Sequence, residues 1–205
     1  MPNISTSGWA GHAGRRFGAS AVEVFTYADG ELPADLKCQV LSFLRVQWPE
    51  GFVEGNRLRN WIHRPEQHPT HFALAENRVL ISYAGVLWKE LEHAGALYKV
   101  YGLSGVLTYP AFGRRGYGSQ VVAAATDYIR ASDADVGLFT CSPHLKNFYA
   151  ANGWIAMDNA VLLAGPRSAS YPNEELVMMA FFSEKGKRAR SAFASMPIFF
   201  DDDLW

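Results

Sequence analysis

The chain has 205 residues, 49% hydrophobic and 14% aromatic, and a net charge of −1. That is globular composition, with length for one domain and a substantial core, and it argues against disorder or fibre. No basic surplus or polybasic tract advertises nucleic acid or an anionic membrane surface.

Residues 1–20 are rich in Gly, Ser and Ala without an apolar period and are expected to form a mobile arm. VEVFTYAD (22–29) alternates as a strand does. ELPADLKCQVLSFLRVQW (31–48) predicts a helix with Leu36, Val40, Leu41 and Leu44 on one face and Pro33 near its start. Residues 48–70 are broken by Pro49, Gly51, Pro65 and Pro69 and predict loop or short helix. HFALAEN (71–77) and RVLISYAGVLWKELE (78–92) predict strands joined at the turn-prone Glu76-Asn77, and LYKVYGLSGVLTY (97–109) predicts a third.

A helix is expected over 117–131, a short buried strand at VGLFT (136–140), and a helix in SPHLKNFYAAN (142–152) with Ser142 as its N-cap and Pro143 at its first position. WIAMD (154–158), AVLLAG (160–165) and ELVMMAFF (175–182) predict further strands. KGKRARS (185–191) reads as a solvated tail, followed by FASMPIFFDDDLW at the end. Cys38 and Cys141 form neither a metal spacing nor a disulfide framework, so a buried apolar role is expected for each, and no metal site is expected. No apolar run approaches the ~20 residues of a membrane span and no signal-peptide h-region opens the chain, so a cytoplasmic, soluble protein is expected. With no internal repeat and no second boundary, residues 1–205 are expected to form one domain.

The stretch FGRRGYGSQVVAAATDYI (112–129) carries the chemistry. A helix N-terminus offers unpaired N–H groups and partial positive charge, and so attracts phosphate. Gly113, Gly116 and Gly118 would let backbone come close to such a ligand, while Arg114 and Arg115 add charge. The spacing is GxxGxG in a strand-rich antiparallel surround, which is not the GxGxxG of a dinucleotide-binding turn, and the Gly-Lys-Ser/Thr of a Walker loop is absent.

This loop after a long strand resembles the acetyl-coenzyme A loop of the GCN5-related N-acetyltransferases, whose pattern is Arg/Gln-x-x-Gly-x-Gly/Ala. Gly113 stands at the Arg/Gln position, while Gly116 and Gly118 match. HLKNFYAANGW (144–154) resembles that superfamily's later helix, which makes Tyr149 the expected general acid for the coenzyme A thiolate. The resemblance implies a mixed α/β (α+β) fold with a central, largely antiparallel twisted sheet flanked by helices, and acetyl-CoA as cosubstrate.

From residue 71 to the end, the chain is most similar to the aminoglycoside 2'-N-acetyltransferases. The similarity rests on HFALAENRVLISYAGV, SGVLTYPAFGRRGYG, TCSPHLKNFYAANGW, the strand ELVMMA and the ending Asp-Leu-Trp. It implies that Val106, Leu107 and Thr108 bind pantetheine, and that Gly113, Arg114, Arg115, Gly116, Tyr117, Gly118 and Ser119 hold the pyrophosphate. It further implies that Ser104, Gly105, Thr140, Asn173, Glu174, Asp203 and Trp205 face the acceptor, Trp205 through its terminal carboxylate. Ser104 replaces the family's water-assisted base, a glutamate. A base must then come from Glu174, Glu175, Asp203 or the Trp205 carboxylate, or the amine must arrive with a depressed pKa. The replacement also points to an acceptor with fewer amines, such as kasugamycin. Trp48, Glu50 and Glu54 fall where the family places acidic acceptor contacts. The family also implies a homodimer, for which the apolar FASMPIFF is the expected surface. A different amine acceptor (a peptide N-terminus or a polyamine) and a non-catalytic coenzyme A-binding domain remain open.

Overall fold

The computed structural model describes residues 22–201 and 205; the expected arm and Asp203 lie outside the described residues. β1 (Glu23–Ala28) leads into α1 (Ala34–Gln47), with Pro33 as N-cap rather than inside the helix. Three short 3-10 turns then carry the chain to β2 (Thr70–Glu76), which opens a meander with β3 (Val79–His93) and β4 (Ala96–Thr108). Both hairpins close on two-residue turns with positive φ, Asn77 and Arg78 (48° and 66°) and Ala94 and Gly95 (50° and 76°). That is the backbone hand that suits the right-handed twist of paired strands, and it moves Arg78 from the expected strand into the turn. α2 (Tyr117–Ala131) follows the glycine loop, then β5 (Val136–Cys141), α3 (Lys146–Ala150), β6 (Ile155–Ala156), β7 (Leu162–Ala164), β8 (Tyr171–Pro172) and β9 (Leu176–Phe181). The chain closes with α4 (Glu184–Arg188), α5 (Arg190–Ser195) and β10 (Ile198–Asp201).

Seven strands form the main sheet in the order β1-β2-β3-β4-β5-β9-β6, antiparallel throughout except for β4 beside β5. That parallel pair holds register only at Val100–Val136 and Tyr101–Gly137, so the two strands part beyond this point. The strand alternation sends neighbouring residues to opposite faces. Phe72, Ala84, Val86, Tyr101 and Leu103 pack under α2 and α3, whereas Ala73, Leu80, Tyr83 and Leu107 pack under α1. The expected helical face Leu36, Val40, Leu41 and Leu44 is the buried face of α1. Cys38 lies two residues from Leu36 and Val40, on the outward side, and is exposed; of the two cysteines only Cys141 is buried.

The C-terminal region departs most from expectation. Residues 184–195 are not an irregular tail but two short helices, the first capped by Ser183 Oγ accepting from Gly186 N at 3.0 Å, and the charged side chains of 185–190 are exposed as expected. Phe193, Ile198 and Phe200 are buried against Tyr98, Val100, Leu138 and Met179, and β10 pairs in parallel with β7. Burying such side chains contributes about 1.5–3 kcal/mol each, which explains why these three turn onto this chain's own sheet, while Met196 stays exposed. Ser142 also differs: it precedes a 3-10 turn without capping it, and its hydroxyl donates to Glu175 Oε1 at 3.4 Å. Among the described residues no helix is long and apolar enough to cross a membrane.

Candidate active site

The glycine loop and the parting of β4 from β5 create the first cavity, of about 450 Å³. Val106, Leu107 and Thr108 line one side, and Gly113, Arg114, Gly116, Tyr117, Gly118 and Ser119 the other. Gly116 caps α2 at φ +79°, a conformation that strains any side chain, and open space lies where a Cβ would stand. The first-turn N–H groups of Tyr117, Gly118 and Ser119 have no intrahelical acceptor. Arg114 also holds a left-handed φ of 61° at the loop's tip. A glycine cap with free donors and one cationic side chain on the wall suits a pyrophosphate. Arg115 is exposed and does not border the cavity.

Leu145 and Phe148 complete this wall. Sequence reasoning missed both, although Leu145 stands four residues before Tyr149 and so shares its helical face. Beyond Tyr101 the β4 edge facing β5 has no strand partner, leaving main-chain groups for a ligand that runs along it.

A second cavity, of about 700 Å³, opens on the other side of Tyr149. Five separated segments wall it: Trp48, Glu50, Gly51, Phe52 and Arg59 after α1; Ser104 and Gly105 on β4; Thr140, Cys141 and Ser142 at the end of β5; Asn173 and Glu175; and Trp205. A bulge in β4 sets Tyr83 opposite Leu107 and Gly85 opposite Ser104, with Gly105 at φ +58° inside it. Asn173 accepts from Glu175 N at 2.8 Å and donates its own N–H to Leu162 O, fixing this corner. Of the expected acceptor residues, Ser104, Gly105, Thr140, Asn173 and Trp205 come together, whereas Glu174 and Glu54 stand off the wall and Glu175 and Glu50 are on it.

Tyr149 borders both cavities and is only 5% exposed. Burial, then Cys141 and Glu175, push its phenol above the ordinary range, so it keeps its proton at neutral pH. Cys141 is pushed up to about 11 by burial and Glu175, which leaves a neutral thiol and no nucleophile. Arg59 donates to the carbonyls of Trp61 and Ile62 and lies over the Phe52 ring at 5.0 Å. Burial, Arg64 and Arg45 lower its pKa.

A family model described as the acetyltransferase (GNAT) family matches residues 39–154, more than half of the chain. The chain belongs to the GNAT acetyltransferase family. Curated proteins provide no match. Among solved structures, a GNAT family acetyltransferase from Brucella melitensis in complex with acetyl-CoA shares 13% identity, covering 78% of this chain and 89% of that one at a TM-score of 0.50. The catalytic domain of Tetrahymena GCN5 histone acetyltransferase with coenzyme A shares 11%, covering 80% and 95% at 0.51. A conserved protein of unknown function from Enterococcus faecalis shares 14% at 0.50, and this chain spans only 33% of its length. At these identities the likeness is one of fold. It fits the mixed α/β architecture, and acetyl-CoA is the cosubstrate this family uses.

Proposed function

We propose that this GNAT enzyme acetylates an amino group of an aminoglycoside, the 2'-amine by family resemblance, and thereby confers resistance. The observation that carries the reading is Tyr149 at the border of a glycine-loop cavity and a larger cavity bearing Glu50, Glu175 and Trp205. Acetyl-CoA supplies the acyl group as a thioester. Its pyrophosphate is assigned to the first turn of α2, and its pantetheine to the free edge of β4 at Val106–Thr108. Tyr149 then protonates the departing sulfur, a step suited to a phenol that stays neutral at working pH.

The acceptor amine must be neutral to attack. Ser104 has no basic group, but it stands on the same wall as Glu175 and the residue that carries the terminal carboxylate. We assign the proton to Glu175 or that carboxylate, through Ser104 Oγ and water. The wall is of mixed sign, since the Arg59 guanidinium stands on it together with Glu50 and Glu175. That disfavours a polycation and favours an acceptor with few amines, of the kasugamycin kind. The test is an acceptor screen with acetyl-CoA, read by mass spectrometry of the product. Acetylated kasugamycin or a 2'-acetylated aminoglycoside supports the reading. Turnover with peptides or polyamines alone, or with none, refutes it.

A further inference from the structure

Where β4 and β5 part, the next rung after Tyr101–Gly137 would pair Gly102 with Leu138. That place is taken by the indole of Trp205, whose Nε1–H donates to Leu138 O at 2.9 Å. A Cβ on Gly102 would overlap the indole nitrogen, so the seat exists only because residue 102 is glycine. The Phe200 ring meets the indole edge-on at 4.7 Å. Trp205 packs against the apolar clusters on both faces of the sheet, as a group inside the split must. It also borders the acceptor cavity.

We infer that the Trp205 indole is a strut in the split of the main sheet, a positioning residue that braces the acceptor wall. The hydrogen bond gives a chemical reason for an indole: a buried strand carbonyl needs a donor, and β4 no longer supplies one. The stacking against Phe200 gives a reason for the ring. Gly102 and Leu138 thus belong to the acceptor site without touching acceptor. This deepens the acceptor assignment above and rests on it for its kinetic consequence, though not for its geometry.

The experiment separates the indole from the backbone that carries it. Trp205→Ala and Trp205→Phe keep that backbone, whereas deletion of residues 204–205 removes it. With kasugamycin as acceptor, Trp205→Ala is expected to raise KM by about tenfold or more, close to the deletion, and Trp205→Phe by less. The acetyl-CoA Kd, measured by calorimetry, should stay within about twofold for all three. Independently of any acceptor, the indole N–H signals of the six tryptophans can be followed in a ¹⁵N-labelled full-length chain. The signal lost in Trp205→Phe should exchange slowly with solvent in the wild type and fast in Gly102→Ala. Wild-type acceptor KM in Trp205→Ala, or an indole N–H that exchanges as fast as an exposed one, overturns the proposal. If no acceptor is turned over, the functional reading fails by itself and the exchange measurement still decides the strut.

Discussion

The two cavities that meet at Tyr149 are built in different ways. The glycine-loop cavity comes from one stretch of sequence, residues 106–119, closed by α3, and its polar groups are mostly main chain. The acceptor cavity is assembled from five segments spread between Leu44 and Trp205, and side chains make its chemistry. Backbone donors at a helix start tolerate much side-chain change around them. An acceptor wall made of side chains can be re-signed by one substitution. The first cavity should therefore resist perturbation of the second, and the reverse should hold less well, since Tyr149 belongs to both.

The sharpest way to break this comparison is at Tyr149, which with Val106 and Leu145 lines both cavities. Tyr149→Phe keeps the edge-to-face packing on Phe139 (centroids 4.7 Å apart) while removing the proton. Turnover is expected to fall ~10²–10⁴-fold, with acetyl-CoA affinity and melting temperature nearly unchanged. Wild-type turnover in this variant would reduce Tyr149 to a packing aromatic and leave the two cavities without a chemical link.

Acid should act on the acceptor side. His63 Nε2 is buried beside Gly85 with no hydrogen-bond partner among the described residues, and its pKa is lowered to about 3 by burial, His71 and Arg59. His71, bonded through Nδ1 to Tyr83 OH at 2.7 Å, is lowered to about 4, mainly by burial. Both folded values lie below the unfolded value of 6.5, so both rings are neutral in either state above that pH and stability is full there. As pH falls from 6.5 toward 4 and 3, the unfolded chain takes up protons that the fold excludes, and stability is lost. The loss should be on the order of a few kcal/mol across that window. Urea unfolding at stepped pH measures it, and His63→Gln should flatten the slope; an unchanged slope would mean that His63 does not contribute.

These results bear on what was legible in the sequence. The loop, α2 and the meander could be read because local rules set them: glycines at a helix start and period-two alternation. The interest of Tyr149 came from the family resemblance, not from its short helix. Glu175 rather than Glu174 could not be read, because the choice depends on the turn that Asn173 Oδ1 fixes by accepting from Glu175 N. Gly102 carries no local signal, since its role is defined by Trp205, 103 positions later in the chain. The fate of FASMPIFF was hidden likewise: an apolar segment signals burial but not which surface covers it. What escaped was chiefly tertiary, and it concentrates in the acceptor cavity.

The loop itself offers a smaller, one-sided effect. Gly116→Val places a β-branched residue at φ +79°, where the left-handed region costs roughly 1–2 kcal/mol, and brings a side chain toward the pyrophosphate seat. The coenzyme A Kd should rise by about tenfold or more, measured by calorimetry. The acceptor cavity shares no part of this turn, so its own ligand affinity should be spared. Equal weakening of both ligands would show that the cavities are one mechanical unit.

The smallest expected effect tests the sign of the acceptor wall. Arg59 is held by two backbone carbonyls and the Phe52 ring, with Arg45 and Arg64 close enough to lower its pKa. A second ammonium on the acceptor would meet this charge, and an acceptor with few amines would not. Removing the charge in Arg59→Gln should therefore lower the KM of a deoxystreptamine aminoglycoside relative to that of kasugamycin. The relative change should be about two- to fivefold, the scale of a partly solvated charge interaction of ~0.5–1 kcal/mol. Arg59→Lys keeps the charge but not the planar fork, so it separates repulsion from lost packing: it should retain the wild-type ratio. Salt should move wild type toward Arg59→Gln, because screening weakens the same repulsion. A ratio that is identical in wild type and Arg59→Gln at low salt would show that the carbonyl contacts of Arg59 are its whole role, and that the acceptor is selected elsewhere on the wall.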